Sequence, residues 1–416
     1  MRTQRYYSGW WGIAFGAATV AAAGVAHALE ASDVLVFSYG SLSLRPQFEV
    51  DEQYNDNIFY SRFSTRKIAD FITVLAPGVR LLIGEDLPQA NHFSMTGRLE
   101  QVLFAQNSDQ NALQEKYSDN GYYEWSRLSV EGHDRVEWLS SVLGAGVSNV
   151  PIKVDRMTWQ DTYRLRYALG ERTHIYGQLD HNFIDYKGQF LNLFDGRTLT
   201  GTGGFEYQFS GETHLFGEVY YGDTTLEPNA PGAPPVPGTT TVGGFVGARG
   251  KFTEKLTGLV KAGYGISEFT GAAPAGLDTS AGSSPVVDIT LTYQATERMS
   301  LSFDYKRRQL VSVQYSRAAY VEDVISLRGS EVIGAAGRIR ADLGVNYLMA
   351  GYDKSPTQWP NGRNDTQWSV DAGVSYYFQT WLWTRLGYSF ESYSSDFTGV
   401  VDYDVNRVTL SLAVGY

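Results

Sequence analysis

Along most of the chain, apolar and polar residues alternate one for one. Leu301, Phe303 and Tyr305 are interleaved with Ser300, Ser302, Asp304 and Lys306; Ile339, Ala341, Leu343, Val345 and Tyr347 with Arg338, Arg340, Asp342 and Asn346. Val287, Ile289, Leu291 and Tyr293 alternate with Asp288, Thr290 and Thr292, and Val370, Ala372, Val374 and Tyr376 with Ser369, Asp371 and Ser375. A period of two sends successive side chains to opposite faces, so each segment predicts a strand with one apolar and one polar face. The segments run about 9 to 13 residues, near the length that crosses a bilayer obliquely.

The breaks between segments repeat. Short polar turns occur at Gly170-Glu171-Arg172-Thr173, Gly211-Glu212-Thr213-His214, Thr253-Glu254-Lys255-Leu256 and Thr296-Glu297-Arg298-Met299, their glutamates 41, 42 and 43 residues apart. The same step leads forward to Gly337-Arg338 and Gln379-Thr380, and backward to Glu131-Gly132, Pro88 and Pro46. Midway between them lie longer polar segments: 106–119, 187–196, 227–238, 271–284, 353–365 and 392–402. The proline-rich run from Pro228 to Pro237 has to be a loop. Short turns at one end and long loops at the other are the arrangement of an outer-membrane barrel. Two strands per repeat from about Phe48 to Tyr416 make nine hairpins, hence about 18 strands (16 to 18), with both ends of the barrel at the periplasmic side and nine extracellular loops. Pro77 falls within the second strand and predicts a bulge, or a parting of the strand pair at Pro77-Gly78.

A soluble sandwich would also alternate, and the ends of the segments separate the two. Tyr221, Tyr264, Tyr293, Tyr305, Tyr347, Tyr376 and Tyr388 stand near the ends of apolar faces, where interfacial girdles belong. The last segment, Val408, Leu410, Leu412, Val414 and Tyr416, is apolar at every second position and ends on an aromatic, as an assembly signal for outer-membrane barrels does. At the other end, Arg2 and Arg5 precede an apolar run from Trp10 to Val25 and an Ala26-His27-Ala28 cleavage pattern. This predicts a signal peptide over 1–28, a periplasmic segment over 29–45 and the barrel over 46–416. No later stretch approaches 18 consecutive apolar residues, which removes helical spans.

Composition agrees with strands: 28 Tyr, 21 Phe, 9 Trp and 44 Gly suit sheets and tight turns. The absence of cysteine removes disulfides, thiolate metal sites and a lipoprotein anchor. A formal charge of −11 weighs against nucleic acid as a partner.

With the strands placed, the N-terminal residues resemble a known family. Leu44-Arg45-Pro46, Tyr54-Asn55-Asp56-Asn57-Ile58-Phe59, Ile68-Ala69-Asp70-Phe71-Ile72 and Pro77-Gly78-Val79-Arg80-Leu81 are similar to the start of the family called putative beta-barrel porin 2. The resemblance implies an outer-membrane barrel, in a family some of whose members are linked to exopolysaccharide production. It implies no catalytic residue.

Candidate chemistry is sparse. His92, His133 and His181 show no serine or acid arrangement, His174 and His214 flank short turns, and no G-x-S-x-G occurs. Gly247-Ala248-Arg249-Gly250-Lys251 lacks the spacing of a phosphate loop and reads as a strand entering a turn. Asp109, Asp119 and Asn120 share one expected loop, without EF-hand spacing. No catalytic, cofactor or metal residues are assigned.

The polar face is where function is expected. If the apolar face meets lipid, the lumen receives Arg164, Arg166, Lys261, Lys306, Arg308, Arg340 and Arg385 with Asp180, Glu218, Asp288, Asp304, Asp342, Asp371 and Glu391. An Arg or Lys at the lipid midplane would cost about 2 to 4 kcal/mol, so this many charges require a wet or paired interior. Opposed rows of both signs would orient a polar solute; the same charges could instead stiffen the wall as salt bridges. The expected function is passage of small hydrophilic solutes or saccharides, without catalysis. Alternatives are an accessory barrel of an exopolysaccharide pathway, or a plugged structural or adhesive barrel. The expected partners are outer-membrane lipid, the assembly machinery and a saccharide.

Overall fold

The computed structural model describes residues 35–61, 67–84, 91–143, 153–188, 194–231, 237–271, 282–311, 319–352, 362–397 and 402–415. The expected signal peptide lies outside the described residues, as do Pro88 and Tyr416. A short lead strand, β1 (Phe37–Tyr39), is followed by β2 (Leu42–Asn55), β3 (Asp70–Gly84), β4 (His92–Phe104), β5 (Ala112–Trp125), β6 (Leu128–Val142), β7 (Lys153–Ala168), β8 (Thr173–Lys187), β9 (Phe194–Ser210) and β10 (Thr213–Pro228). The chain continues through β11 (Gly238–Lys251), β12 (Leu256–Thr270), β13 (Gly282–Gln294), β14 (Met299–Val311), β15 (Ala319–Ile333), β16 (Ile339–Tyr352), β17 (Arg363–Gln379), β18 (Leu382–Ser395) and β19 (Tyr403–Val414). From β2 onward each strand pairs antiparallel with the next, and β19 returns to β2 from Arg407↔Asn55 to Val414↔Phe48. The result is a closed antiparallel barrel of 18 strands, β2 to β19.

The strands are 12 to 17 residues long, longer than the alternation indicated. A bilayer needs only about 9 to 11 residues of tilted strand, so the pairing continues past a hydrocarbon-sized band. The segment 106–119, expected as a loop, is mostly strand: β5 begins at Ala112, after a single 3-10 turn at Ser108–Gln110. Asp119 and Asn120 are therefore strand residues on opposite faces, apart from Asp109.

The rhythm of turns holds at Gly170, Gly211, Thr253, Thr296 and Gly337, each between two strands, and at Thr380, which follows Gln379 at the end of β17. Gly211 adopts φ +43° in the two-residue connection between β9 and β10, a left-handed conformation that glycine takes without a Cβ penalty. Two of the backward steps fail. Glu131-Gly132 lies inside β6, and the turn falls instead at Ser126-Arg127. Pro46 lies inside β2, whose first residue is Leu42, so the sheet starts upstream of the expected boundary.

Both prolines fit by placement. Pro46 pairs with Val79 on β3; its other edge lies between the stretch of β2 held by β1 (Phe37↔Leu44) and the stretch held by β19 (from Phe48). No ladder bond is lost there. At Pro77 the pairing with β2 is continuous, whereas the ladder to β4 skips Ala76 and Pro77 and resumes in the same register at Gly78↔Arg98. The expected bulge is absent, and the parting is confined to one side of the strand.

The distribution of side chains is inverted relative to a soluble fold. Val219 and Val246 are 69 % and 70 % exposed on the outer face, while the charged pair Glu218 and Lys261, on the inner face, shows side-chain exposures of 10 % and 20 %. Tyr221, Tyr264, Tyr293, Tyr347, Tyr376 and Tyr388 are likewise exposed, on the face shared with those valines. Val408, Leu410 and Leu412 of the last strand are exposed on that face as well.

This apolar face carries a polar cluster. Asp119, Asp134, Asp161 and His181 stand opposite one another across β5, β6, β7 and β8 on the outer face, with the Tyr163 hydroxyl donating to Asp134 at 2.7 Å and His181 Nδ1 3.0 Å from Asp161.

Two clusters of buried apolar residues lie at the long-loop end: Tyr393, Tyr403 and Val405, and Leu143, Val154 and Tyr186. The first belongs to the closure seam. Asn57, fully buried, donates from Nδ2 to the Ser61 and Asp404 carbonyls and accepts from the Ser61 amide, while Asp56 accepts from both the amide and the side chain of Asn406. Asp70 accepts from the amides of Phe71, Gln106 and Asn107 and from the Asn107 side chain, fastening the loop between β4 and β5. Asp56 and Asn57 of the N-terminal motif thus help to close the barrel, and Asp70 anchors the neighbouring loop.

Candidate functional site

The inner face brings the charges together in groups. A cavity of about 640 Å³ is bordered by Arg164, Asp180, Glu218, Lys261, Asp288, Lys306 and Arg308. A second, of about 880 Å³ toward the short-turn end, is bordered by Arg164 and Arg166 together with Glu206, His214 and Arg249. Arg340, Asp342 and Asp371 border a third, of about 430 Å³. Asp304 and Glu391 stand apart from these: Asp304 accepts from Thr290 at 2.9 Å, and Glu391 from Tyr403 at 2.7 Å and from Arg407 at 3.1 Å.

Opposite charges meet as close neighbours rather than as opposed rows. Arg385 holds Asp342 with two guanidinium nitrogens, each at 2.6 Å, Lys261 Nζ is 2.8 Å from Glu218, and Arg308 is 2.7 Å from Glu322. Such pairs satisfy most of each other's field locally, so they stiffen the wall more than they polarise the bore.

The spacing of the partners reproduces the sequence repeat. Tyr176 and Glu218 are 42 residues apart, Glu218 and Lys261 are 43, Glu206 and Arg249 are 43, and Asp342 and Arg385 are 43. One hairpin repeat advances two strands, so these side chains reach over an intervening strand at similar height. A small residue beneath makes the reach possible. Tyr176 passes over Gly204, its register partner on β9, to give its hydroxyl to Glu218 at 2.7 Å; Arg385 passes over Gly373 on β17 to Asp342. A Cβ at either glycine would overlap the ring or the guanidinium.

The wall from β8 to β12 carries aromatic side chains facing inward, which the alternation did not reveal. Tyr176, Phe216, Tyr220 and Phe245 each stand directly opposite a glycine on the next strand: Gly204, Gly247, Gly243 and Gly263. Laid against glycine, a ring covers backbone and keeps its bulk out of the bore. Tyr220 and Phe245 are stacked at 5.5 Å. Cations cap the rings: Arg164 lies 4.2 Å from the centroid of Tyr176 and Lys261 4.3 Å from that of Phe245. A sequence signal did exist, in the adjacency of Ile175 with Tyr176 and of Tyr220 with Tyr221. Two bulky apolar neighbours in one strand must face opposite ways.

Arg249 and Glu206 were also missed. Arg249 falls in the stretch that read only as a strand entering a turn, yet it points inward and pairs with Glu206, which is 1 % exposed.

Residues 192–416 match the family model described as putative beta-barrel porin 2, more than half of the chain. The chain belongs to this family. The match covers β9 to β19, rather than the N-terminal motif, so the family pattern runs through Phe216, Tyr220 and Phe245 of the aromatic wall and the closing strands. Among solved structures, the chain is similar to the outer membrane protein opdK of Pseudomonas aeruginosa, at 10 % identity over 90 % of this chain and 99 % of that one, with a TM-score of 0.44. It is also similar to OccAB3 of Acinetobacter baumannii, at 12 % identity over 90 % and 99 %, with a TM-score of 0.47. These likenesses say nothing of cargo. No curated protein sequence matches the chain.

The histidines and acids singled out in the sequence fall as follows. His181 and Asp161 do form an acid and base pair on the outer face, contrary to the expectation that His181 has no acid beside it. The outward residues flanking the pair in register, Trp159, Tyr163 and Leu199, supply no serine. Asp109, Asp119 and Asn120 are spread over a turn and two faces of a strand, and no metal-binding group of His, Asp and Glu occurs among the described residues.

Proposed function

We propose that the barrel is a porin-like channel of the bacterial outer membrane, passing small hydrophilic solutes, saccharides among them, through a lumen lined by the charges named above. The observation that carries this is the inversion of side chains: apolar residues exposed outside, paired charges and flat aromatic rings around cavities inside. Porin selectivity arises from bore, charge placement and lining groups, and this wall offers all three. Aromatic faces beside carboxylates and hydroxyls suit a sugar, whose CH faces stack while its hydroxyls bond.

In this reading the short-turn end faces the periplasm, the signal over 1–28 is cleaved, and the final alternating strand through Tyr416 serves assembly. Planar bilayer recording on purified protein tests the channel. The expected result is stable conductance steps that fall on addition of saccharide; no steps at any voltage would defeat it. Deleting Tyr416 should reduce the heat-modifiable, folded fraction in outer-membrane preparations. An undiminished fraction removes the assembly role.

A further inference from the structure

The cavity at the short-turn end holds more hydrogen-bond donors than acceptors. Glu206 already serves two guanidinium groups: Arg166 Nη2 reaches Oε1 at 3.1 Å, and Arg249 Nη2 reaches Oε2. His214 Nδ1 lies 2.8 Å from Oε1. The third guanidinium, Arg164, makes no ion pair or hydrogen bond among the described residues and rests on the Tyr176 ring at 4.2 Å. Its register partner on β6, Glu131, lies 3.1 Å from His133 Nε2 instead. The remaining charges around the cavity, Lys251 and Glu212, stand 3.9 Å apart.

Three guanidinium nitrogens here are buried with no acceptor: Nε and Nη2 of Arg164 and Nε of Arg166. Each such orphaned donor costs about 1 to 3 kcal/mol, which an acceptor in the cavity relieves once the arginine side chain turns toward it. All three lie on arginines bordering the same 880 Å³ space, a volume that holds a ligand of sugar size. The acceptor that matches a planar guanidinium fork is a carboxylate, which can take two parallel N–H bonds from one arginine. Arg164 and Arg249 border both this cavity and the aromatic one above it, so a bound solute could contact a guanidinium and an aromatic ring together.

We infer that Arg164, Arg166 and Arg249 form a binding subsite for a small carboxylate-bearing solute of sugar size, held at the short-turn end of the lumen. Glu206 is the internal stand-in: a buried carboxylate that keeps two of the three arginines in place and competes with the ligand for them. The inference rests on the channel reading for access alone.

Isothermal calorimetry on detergent-solubilised, folded protein tests it without requiring conduction, with glucuronate, glucose and acetate as probes. Glucuronate should bind and glucose should bind at least tenfold more weakly. Acetate binding as tightly as glucuronate would support the carboxylate as sole determinant; weaker acetate binding would support a contribution from the sugar ring. Arg164→Gln should weaken glucuronate about tenfold or more, the scale of a charge-assisted hydrogen bond. Glu206→Gln, in folded protein, should tighten it, because the competing carboxylate is gone. Equal binding of glucuronate and glucose, or an Arg164→Gln protein that keeps full affinity for glucuronate, would overturn the subsite. Glucuronate binding by a protein with no conductance would instead leave the subsite standing and remove the channel.

Discussion

Two sectors of the same wall solve the inward-facing problem differently. Between β8 and β12, glycines lie beneath rigid rings; of the guanidinium groups beside them, Arg249 and the β7 residue Arg166 share the carboxylate of Glu206, and the β7 residue Arg164 makes no ion pair among the described residues. From β16 through the seam to β2, two pairs of inner charges are matched: Arg385 with Asp342, and Arg407 with Glu391. The contrast separates two uses of charge. A matched pair spends its hydrogen bonds on the wall and leaves little for a solute. The glycine and aromatic sector keeps its surface low and its cations partly free, which is what recognition requires.

The comparison can be broken first at its glycines. Gly204→Ala places a Cβ against the far end of Tyr176, a ring held from both sides by Glu218 and Arg164 and only 6 % exposed. A rigid, buried ring cannot yield, and the expected loss is about 3 kcal/mol, the upper range of overpacking, read as a lower urea midpoint in reconstituted protein. If Gly204→Ala is as stable as the parent, the ring is not pinned and the contrast fails.

At the seam, Asn57→Ala leaves the Ser61 amide and two carbonyls without their partners, for an expected loss of about 2 kcal/mol in the same assay. Arg385→Gln should cost about 1 kcal/mol, since the pair with Asp342 is about a third exposed and screened accordingly. It should also leave glucuronate affinity unchanged, sharpening the division between wall charges and recognition charges. Gly373→Ala is the mildest, at about 0.5 kcal/mol or less: the group it meets is the tip of a flexible arginine that can swing toward the bore. A loss at Gly373 equal to that at Gly204 would show that ring and guanidinium are held alike.

Much of this fold was legible in the sequence, because a strand with one wet and one lipid-facing side writes its period into the residues. The hairpin rhythm located turns wherever glycine or a polar cluster marked them. It failed at Ser126-Arg127, a turn lacking glycine and flanked by Trp125 and Leu128, while Glu131-Gly132 imitated a turn inside β6. Pro46 misled similarly, since its tolerance depends on the gap between β1 and β19, which no local pattern shows.

The inner charges were legible by parity, but their partners were not, because a partner is set by register across two strands. The repeat contained that information: adding one step to Glu206 reaches Arg249, and adding one to Asp342 reaches Arg385. The flat aromatics were hidden for a related reason. An inward Tyr176 looks like a break in the pattern until Gly204 is placed opposite it.

The closure seam has a consequence for the birth of the molecule. Asp56 and Asn57 are among the first barrel residues to be made, and the groups they bind, Asp404 and Asn406, are nearly the last. A chain arriving end first must keep its buckle open while seventeen more strands are threaded beside it. Fastening then reports that the final strand is present, so a prematurely terminated copy can curl but never lock.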